Sequence, residues 1–199
     1  MILNAEMVRA LLDGRKTQTR RPIKWKQTRF TEIGEREDGS KWPWSEDAEH
    51  ACDFWHPCPF GAVGDRIWVR EAFRVHSRAT DVATLVYKAS ERNSWTEQTR
   101  RVPVAVCNKP ATPEKWTPSL HMPRWASRIL LEITGVRVER LRSMSQDDAR
   151  AEGVIAASGP MEAGLAFREL WDSIYGEESW KANPWVWVIE FKRVEGGAA

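Results

Sequence analysis

Eight residues near the N-terminus carry the most information in this chain: Gly14-Arg15-Lys16-Thr17-Gln18-Thr19-Arg20-Arg21. Before them, Asn4 is a suitable helix N-cap and apolar residues recur at helical spacing, so we predict a helix over about 4–13. Gly14 stands where helices commonly end in a left-handed residue. After this turn the residues alternate in type, which predicts a strand over about 16–22.

The same stretch brings an amine, two hydroxyls and several guanidiniums close together. Crowded cations repel one another, which favours the neutral form of the Lys16 amine. A neutral amine beside the Thr19 hydroxyl is a candidate pair of base and nucleophile. The alternative is a basic turn with solvated charges, the commoner outcome for so short a motif.

The stretch resembles the G-x-K-x-x-E-x-R signature of the ASCH superfamily, small β-barrel proteins related to the PUA RNA-binding domain. Thr19 stands where the general pattern has Glu, as in one subgroup, the small bacterial N4-acetylcytidine amidohydrolases. In that subgroup the lysine, the second threonine and a distant glutamate are catalytic. The resemblance therefore implies catalytic roles for Lys16, Thr19 and Glu152, whose surroundings Asp148-Ala149-Arg150-Ala151-Glu152-Gly153 give the best match to the distant glutamate.

Two further stretches look like ASCH strands, Gly64–Val69 and the C-terminal Val188–Lys192. As a whole the chain is most similar to the longer ASCH-like proteins of phages and prophages. The resemblance implies an α+β fold: a small PUA-like (ASCH) β-barrel with helices at its edges, forming one domain over 1–199. Two polar, irregular stretches are expected: about 24–61 as an insertion or a long covering loop, and about 90–118 as an insertion.

Hydrophobic patterns predict the remaining elements. The expected strands cover 66–73, with 83–88 as its hairpin partner, then 102–106, 127–142 and a last strand reaching about 194. A helix is expected from Ser145, with Asp148 completing a capping box and Gly153 ending the helix. A second helix is expected over about 162–175.

The composition limits the possible classes. The chain has 199 residues, enough for one sizeable domain with insertions. Three cysteines make no even disulfide framework, no secretory signal is visible, and no apolar run reaches the roughly 18 residues that span a membrane. We therefore expect a cytoplasmic protein without a membrane partner, and the oligomeric state stays open.

Four potential metal ligands fall within one short stretch: His50, Cys52, His56 and Cys58. Structural zinc sites usually take two ligand pairs from separate knuckles, and one short loop surrounds a tetrahedral ion only with difficulty. We therefore expect isolated side chains here and no metal site. The resemblance implies no organic cofactor either.

Basic residues and tryptophans leave nucleic-acid binding open. The formal charge of +2 does not demand such a partner. Basic residues crowd the first thirty positions and could bind phosphates or form a solvated face: Arg9, Arg15, Lys16, Arg20, Arg21, Lys24, Lys26 and Arg29. Five of the twelve tryptophans lie in irregular stretches, where they could stack on bases or cover the barrel: Trp42, Trp44, Trp55, Trp116 and Trp125.

The proline-stiffened segment 116–128 carries further candidates for substrate binding. His121, Arg124 and Trp125 together suit a pocket rim that stacks a base and touches a phosphate or sugar. The alternative is a rigid loop that packs its indoles on the core. Arg20 and Arg21 complete the set of predicted substrate-binding residues.

The leading hypothesis is an amidohydrolase that removes an acyl group from the exocyclic amine of a modified pyrimidine nucleoside or base, as in N4-acylcytidine. Lys16 would take the Thr19 proton, the Thr19 oxygen would attack, and Glu152 would position the amine or shuttle a proton. Arg21 would hold Glu152 or the substrate carbonyl. Two alternatives stay open: a non-catalytic RNA- or DNA-binding ASCH module, and a ribonuclease using His121 or Lys16. The expected partner is a modified nucleoside or a single-stranded nucleic acid.

Overall fold

The computed structural model describes residues 1–24, 31–47, 52–155, 159 and 162–194. The chain divides into two compact units. Unit 1 contains Met1–Gly14, Arg66–Glu132 and the C-terminal residues from Arg193, and unit 2 contains Arg15–Asp65 and Ile133–Lys192. Nothing in this division tests the expected single domain with insertions, which stays a prediction.

Helices and strands are both present. The helices are α1 (Ala5–Leu12), α2 (Trp95–Gln98), α3 (Gln146–Ala151), α4 (Ala163–Tyr175) and α5 (Glu177–Lys181). The strands are β1 (Gln18–Pro22), β2 (Thr31–Glu35), β3 (Lys41–Asp47), β4 (Cys52–Trp55), β5 (Arg66–Trp68), β6 (Phe73–Arg78), β7 (Val82–Tyr87), β8 (Thr99–Pro103), β9 (Leu130–Arg140) and β10 (Trp185–Val194). The sheets are mostly antiparallel, which confirms the α+β class and is compatible with a small barrel-like fold. The PUA-like topology stays a prediction. Among the described helices, none is long and apolar enough to cross a membrane.

Unit 1 begins with the helix that the sequence predicts. Asn4 caps α1 by accepting a hydrogen bond from the Met7 N–H at 2.8 Å. The helix ends before Gly14, whose φ of 75° lies in the left-handed region where glycine is favoured. Strands β6, β7 and β8 form an antiparallel sheet over the core of this unit. The core includes Phe73, Val75, Leu85, Tyr87, Val102 and Met122.

The predicted strand over 66–73 was wrong in one respect, because the chain leaves the first sheet after Trp68. β5 pairs with the start of β9, and a separate strand, β6, pairs with β7. The backbone groups between them bond elsewhere: the Val69 N–H donates to Ile129 and the Arg70 N–H donates to Met1. Because the apolar pattern over 66–73 is continuous, it did not indicate that the chain changes its pairing strand from β9 to β7.

Unit 2 holds a sheet in which β1 is the edge strand, followed by β10 and then β9. Helices α3 and α4 pack on one face of β10 in a core of Leu141, Ala149, Ala163, Phe167, Trp171, Val186 and Val188. The helix expected from Ser145 is confirmed: both hydrogen bonds of the capping box with Asp148 are present. The predicted helix over about 162–175 and the predicted last strand are also found.

The segment predicted as a covering loop, about 24–61, contains a three-stranded antiparallel meander, β2-β3-β4. The absence of regular structure expected there was wrong. Charged residues, Gly34 and Pro43 interrupt the apolar alternation that predicts strands. Packing of indoles replaces the packing that an alternating apolar face usually provides. Trp44 pairs with Trp55 across the strands, and the Trp42 ring packs edge-on against Trp187 with centroids 5.0 Å apart.

Candidate functional site

Lys16 and Glu152, 136 positions apart in the chain, meet in unit 2. Lys16 lies just before β1, and Glu152 is the C-cap of α3. Gly153 closes that helix with a φ of 90°, a conformation that would strain other residues. The lysine Nζ lies 2.9 Å from Glu152 Oε2, and each residue is only 3% exposed.

The Lys16 amine has three acceptors around it. Nζ donates to Glu152 Oε2, to the Glu152 carbonyl at 2.8 Å and to the Gln18 carbonyl at 2.8 Å. An ammonium carries three donors, so the protonated form is fully hydrogen-bonded.

Burial nevertheless lowers the pKa of Lys16 from its ordinary 10.5. Glu152 opposes this shift by its charge and its hydrogen bond, while Arg21 and Arg20 add to it. The predicted direction is confirmed, with burial rather than cation crowding as the largest cause. Arg15, expected to contribute to the crowding, donates to the Gly153 carbonyl at 2.7 Å.

Thr19 lies in the middle of β1, opposite Ile189, and is 4% exposed. The carbonyl that Lys16 binds belongs to the peptide bond linking Gln18 to Thr19, so Nζ lies no more than about 6 Å from the Thr19 Cα. The Thr19 side chain alternates with those of Gln18 and Arg20, which bind Asp148 and Glu152, so it lies on the face of β1 opposite Glu152. Among the described residues, no hydrogen bond joins the Thr19 hydroxyl to Lys16.

Arg20 is the second cation that binds Glu152. Its side chain is fully buried; Nη1 lies 3.2 Å from Glu152 Oε1, and Nη2 lies 3.2 Å from Glu139 and 3.3 Å from Asp148. The expectation that Arg21 holds Glu152 or the substrate carbonyl stays a prediction. Alternation along β1 turns Arg20 toward α3, while Arg21 donates to the Tyr175 hydroxyl at 3.2 Å.

Further charges surround this pair, and the sequence did not reveal their roles. Arg137 on β9 contacts Asp148 at 3.0 Å and also binds Glu139 and Glu190. We call the whole set the β1–α3 cluster: Lys16, Arg20, Arg137, Glu139, Asp148, Glu152 and Glu190. Within these described residues, four carboxylates face three cations. The spacing of Arg137 and Glu139 predicts a shared strand face, but nothing in the sequence indicates which helix that face meets.

Asp148 has two roles. It closes the capping box at Ser145, and its Oδ1 also accepts from Gln18 at 3.1 Å. Burial alone would raise the pKa of Asp148, but hydrogen bonds from Ser145 and Gln18, together with the charge of Arg20, outweigh burial and lower it. The sequence predicts the capping box but not the contacts of Asp148 with Gln18 and Arg20.

Asp148→Asn is expected to lower the free energy of unfolding at pH 7 by about 1–2 kcal/mol, since charge-assisted hydrogen bonds are lost. A lowered carboxyl pKa stabilises the fold above the unfolded value of about 3.9, and that contribution is lost as the pH falls. Urea unfolding from pH 7 to pH 2.5 should therefore show the difference from the wild type shrinking with acid. A difference independent of pH would contradict the ionic role.

Glu152→Ala is expected to destabilise unit 2 by about 3–5 kcal/mol, because it leaves two buried cations without their shared partner. Chemical denaturation followed by circular dichroism measures the effect. Asp147→Ala is the matched control on the same helix: this carboxylate is 91% exposed, so its removal should change stability by no more than about 0.5 kcal/mol. Equal effects of the two variants would show that the buried ion pair does not contribute to the free energy of unfolding.

The predicted rim residues belong to unit 1. His121 and Arg124 lie exposed in two short 3-10 helices, Ser119–His121 and Arg124–Ala126. Trp125 is half-buried and packs edge-on against Phe73 with ring centroids 6.2 Å apart. Its indole therefore contributes to the core of unit 1, and the substrate-binding roles of these three residues stay predictions.

No group of three or more potential metal ligands is found within the described parts of the chain. His56 Nε2 lies 2.8 Å from the Ser45 hydroxyl, and Cys58 is a free, half-buried thiol whose pKa is raised by burial. His50 lies outside the described residues, as do Lys26 and Arg29 of the basic N-terminal group.

Comparison with known proteins gives no match. No protein-family model, curated protein or solved structure matches this chain.

Proposed function

We propose that this protein is an amidohydrolase that removes an acyl group from the exocyclic amine of a pyrimidine nucleoside or base, as in N4-acylcytidine. The observation that supports the proposal is the buried Lys16–Glu152 pair, whose amine binds the carbonyl of the peptide bond preceding Thr19. The proposal assigns Lys16 as the base, the Thr19 hydroxyl as the nucleophile and Glu152 as the carboxylate that serves the amine. Three such groups are what acyl transfer through a covalent intermediate requires.

Lys16 is the base in this proposal. Its lowered pKa makes the neutral amine more accessible than that of an ordinary lysine. Loss of one proton gives up one of the three hydrogen bonds of Nζ and leaves a lone pair on nitrogen. That lone pair can accept the Thr19 proton as the threonine oxygen attacks the acyl carbon.

The proton balance closes over two half-reactions. In the first, the Thr19 Oγ–C bond forms and the Thr19 proton moves to Lys16, which then gives it to the departing exocyclic amine as the acyl C–N bond breaks. In the second, water attacks the acyl-threonine, Lys16 takes a proton from that water, and the proton returns to the Thr19 oxygen as the ester bond breaks. Lys16 is neutral at the start and at the end of each half-reaction.

The charge of the cluster supports a neutral substrate. Four carboxylates face three cations, and Arg20 is already bound to three of those carboxylates. The cations of the cluster are bound to its own carboxylates, whereas RNA binding and RNA cleavage both need cations that contact phosphate. An uncharged acylated nucleoside or base therefore suits the cluster better than a polynucleotide.

Incubation with N4-acetylcytidine tests the proposal, with loss of the acylcytosine ultraviolet absorbance as the readout. Parallel incubations with labelled single-stranded RNA score cleavage and retention separately. We expect deacetylation without RNA cleavage. RNA retention or cleavage with no deacetylation would favour the binding module or the ribonuclease instead.

A further inference from the structure

A cavity of about 670 Å³ lies in unit 2, at the meander β2-β3-β4. Its lining combines indoles, aliphatic side chains and one guanidinium, including Trp42, Trp55, Val63, Val136 and Arg36. This volume falls within the range of small-ligand pockets, which are mostly apolar with a few placed polar groups. None of the residues of the β1–α3 cluster lines it.

Both indoles in the cavity are held in place. The Trp42 Nε1–H donates to the His56 carbonyl at 2.7 Å, and its ring packs against Trp187. Trp55 lies directly over Gly34, where a Cβ would come within 2.9 Å of the indole ring. The missing side chain at Gly34 is therefore what allows Trp55 to lie against the sheet.

Arg36 is the polar group of interest. Its guanidinium carbon lies 4.2 Å from the Trp42 ring centroid and 5.3 Å from that of Trp55. The backbone of Arg36 is fixed in a tight turn, with its N–H donating to the Ser40 carbonyl and its carbonyl accepting from Gly39. Among the described residues, no hydrogen bond or ion pair engages the guanidinium, so its planar set of N–H donors is oriented and available.

The two carboxylates in the lining are engaged in their own turns. Asp38 accepts from the Ser40 N–H at 2.9 Å; the Ser40 hydroxyl and N–H, together with the nearby charge of Arg36, lower the pKa of Asp38. Asp65 Oδ2 accepts from the Ala62 N–H at 2.8 Å. A guanidinium stacked on aromatic faces, with its donors open, is the arrangement that binds carboxylates and phosphates through two parallel hydrogen bonds.

We infer that this cavity binds a planar ring compound that carries an oxyanion, either a carboxylate or a phosphate. The ring packs against Trp42, Trp55 and the aliphatic wall, and the oxyanion binds Arg36. Ring and oxyanion are both needed, because neither stacking nor one exposed ion pair alone gives strong binding. This site is separate from the β1–α3 cluster and does not depend on the proposed hydrolysis.

Isothermal titration calorimetry on the full chain tests the inference with four probes. Cytidine 5′-monophosphate and benzoate combine a ring with an oxyanion, whereas cytidine and inorganic phosphate each supply only one part. We expect at least one combined probe to bind at least tenfold more tightly than cytidine or phosphate. The stronger of the two combined probes distinguishes phosphate from carboxylate as the oxyanion.

Arg36→Lys is the decisive variant, since it keeps the charge but loses the planar donors; we expect at least a tenfold loss of affinity. Arg140→Lys is the matched control: Arg140 also stacks on an indole, Trp185 at 4.3 Å, but donates to the Asn183 carbonyl. The Arg140→Lys variant should bind the combined probes with the affinity of the wild type. Gly34→Ala, which displaces Trp55, gives a second variant and should also weaken binding.

Three results would overturn the inference. These are no binding of either combined probe at millimolar concentration, equal affinity in Arg36→Lys and the wild type, and cytidine binding as tightly as its monophosphate. Circular dichroism confirms that each variant is folded. The deacetylation rate of Arg36→Lys is measured in parallel and should equal that of the wild type. Failure of the binding site can therefore be distinguished from failure of the proposed hydrolysis.

Discussion

Replacing Thr19 with valine is expected to lower the rate of deacylation by about 10⁴-fold or more, while the fold and the KM change little. Valine keeps the shape and the β-branch that suit a buried strand position opposite Ile189. It removes the hydroxyl oxygen that forms the acyl intermediate in the proposed mechanism, which costs covalent catalysis rather than binding. The ultraviolet assay with N4-acetylcytidine measures kcat and KM together.

Thr17→Val is the matched control for this prediction. Thr17 lies two residues earlier, is exposed, and shares the alternation of Thr19, so its variant should keep near wild-type activity. Thr19→Ser should retain part of the rate because it keeps a hydroxyl. Full activity in Thr19→Val would show that water or another residue is the nucleophile.

Lys16→Arg is expected to be inactive although it keeps a positive charge. A base must lose its proton to act, and a guanidinium does not do so in the working pH range. For the wild type, the rate should rise with pH through the lowered pKa of Lys16, below 10.5, and then level off, because only the neutral amine accepts the threonine proton. Lys16→Ala should be inactive at every pH.

The pH profile separates a catalytic lysine from a structural one. A structural ion pair would change stability without giving the rate this dependence on pH. If Lys16→Arg deacylates at a rate close to the wild type, Lys16 supplies charge alone. The nucleic-acid-binding interpretation would then be the better one.

Local signals in the sequence predicted local structure well. The Asn4 cap, the turn at Gly14 and the capping box at Ser145 each depend on residues within four positions of one another, and all three are found. The last strand was recognised from its run of apolar residues over 185–189. Such signals need no knowledge of the distant chain.

The pairing of strands and side chains that are far apart in the sequence could not be predicted in the same way. The change from β5 to β6 and the pairing of Glu152 with Arg20 depend on which surfaces meet, and periodicity does not encode that. No feature of the sequence distinguishes Arg137 from an exposed arginine on any other strand. The proximity of Lys16 and Glu152 was expected only through the resemblance to ASCH proteins, because 136 positions separate them.

The meander was missed for a different reason. Strand prediction relies on an apolar face alternating with a polar one, and β2 and β3 carry acidic residues, glycine and proline instead. A few large indoles supply the packing that many aliphatic residues usually provide. Tryptophan content was visible in the sequence, but which rings would face one another was not.

The hydrogen bonds that enclose the Lys16 amine have a kinetic consequence. Nζ is bound to both the carboxylate and the backbone carbonyl of Glu152, and the next strand residue, Thr17, donates its N–H to the Ala151 carbonyl at 2.8 Å. In the proposed mechanism, opening of the last turn of α3 frees the amine before it takes a proton. The exchange rate of the Thr17 amide hydrogen gives a lower limit for the rate of that opening.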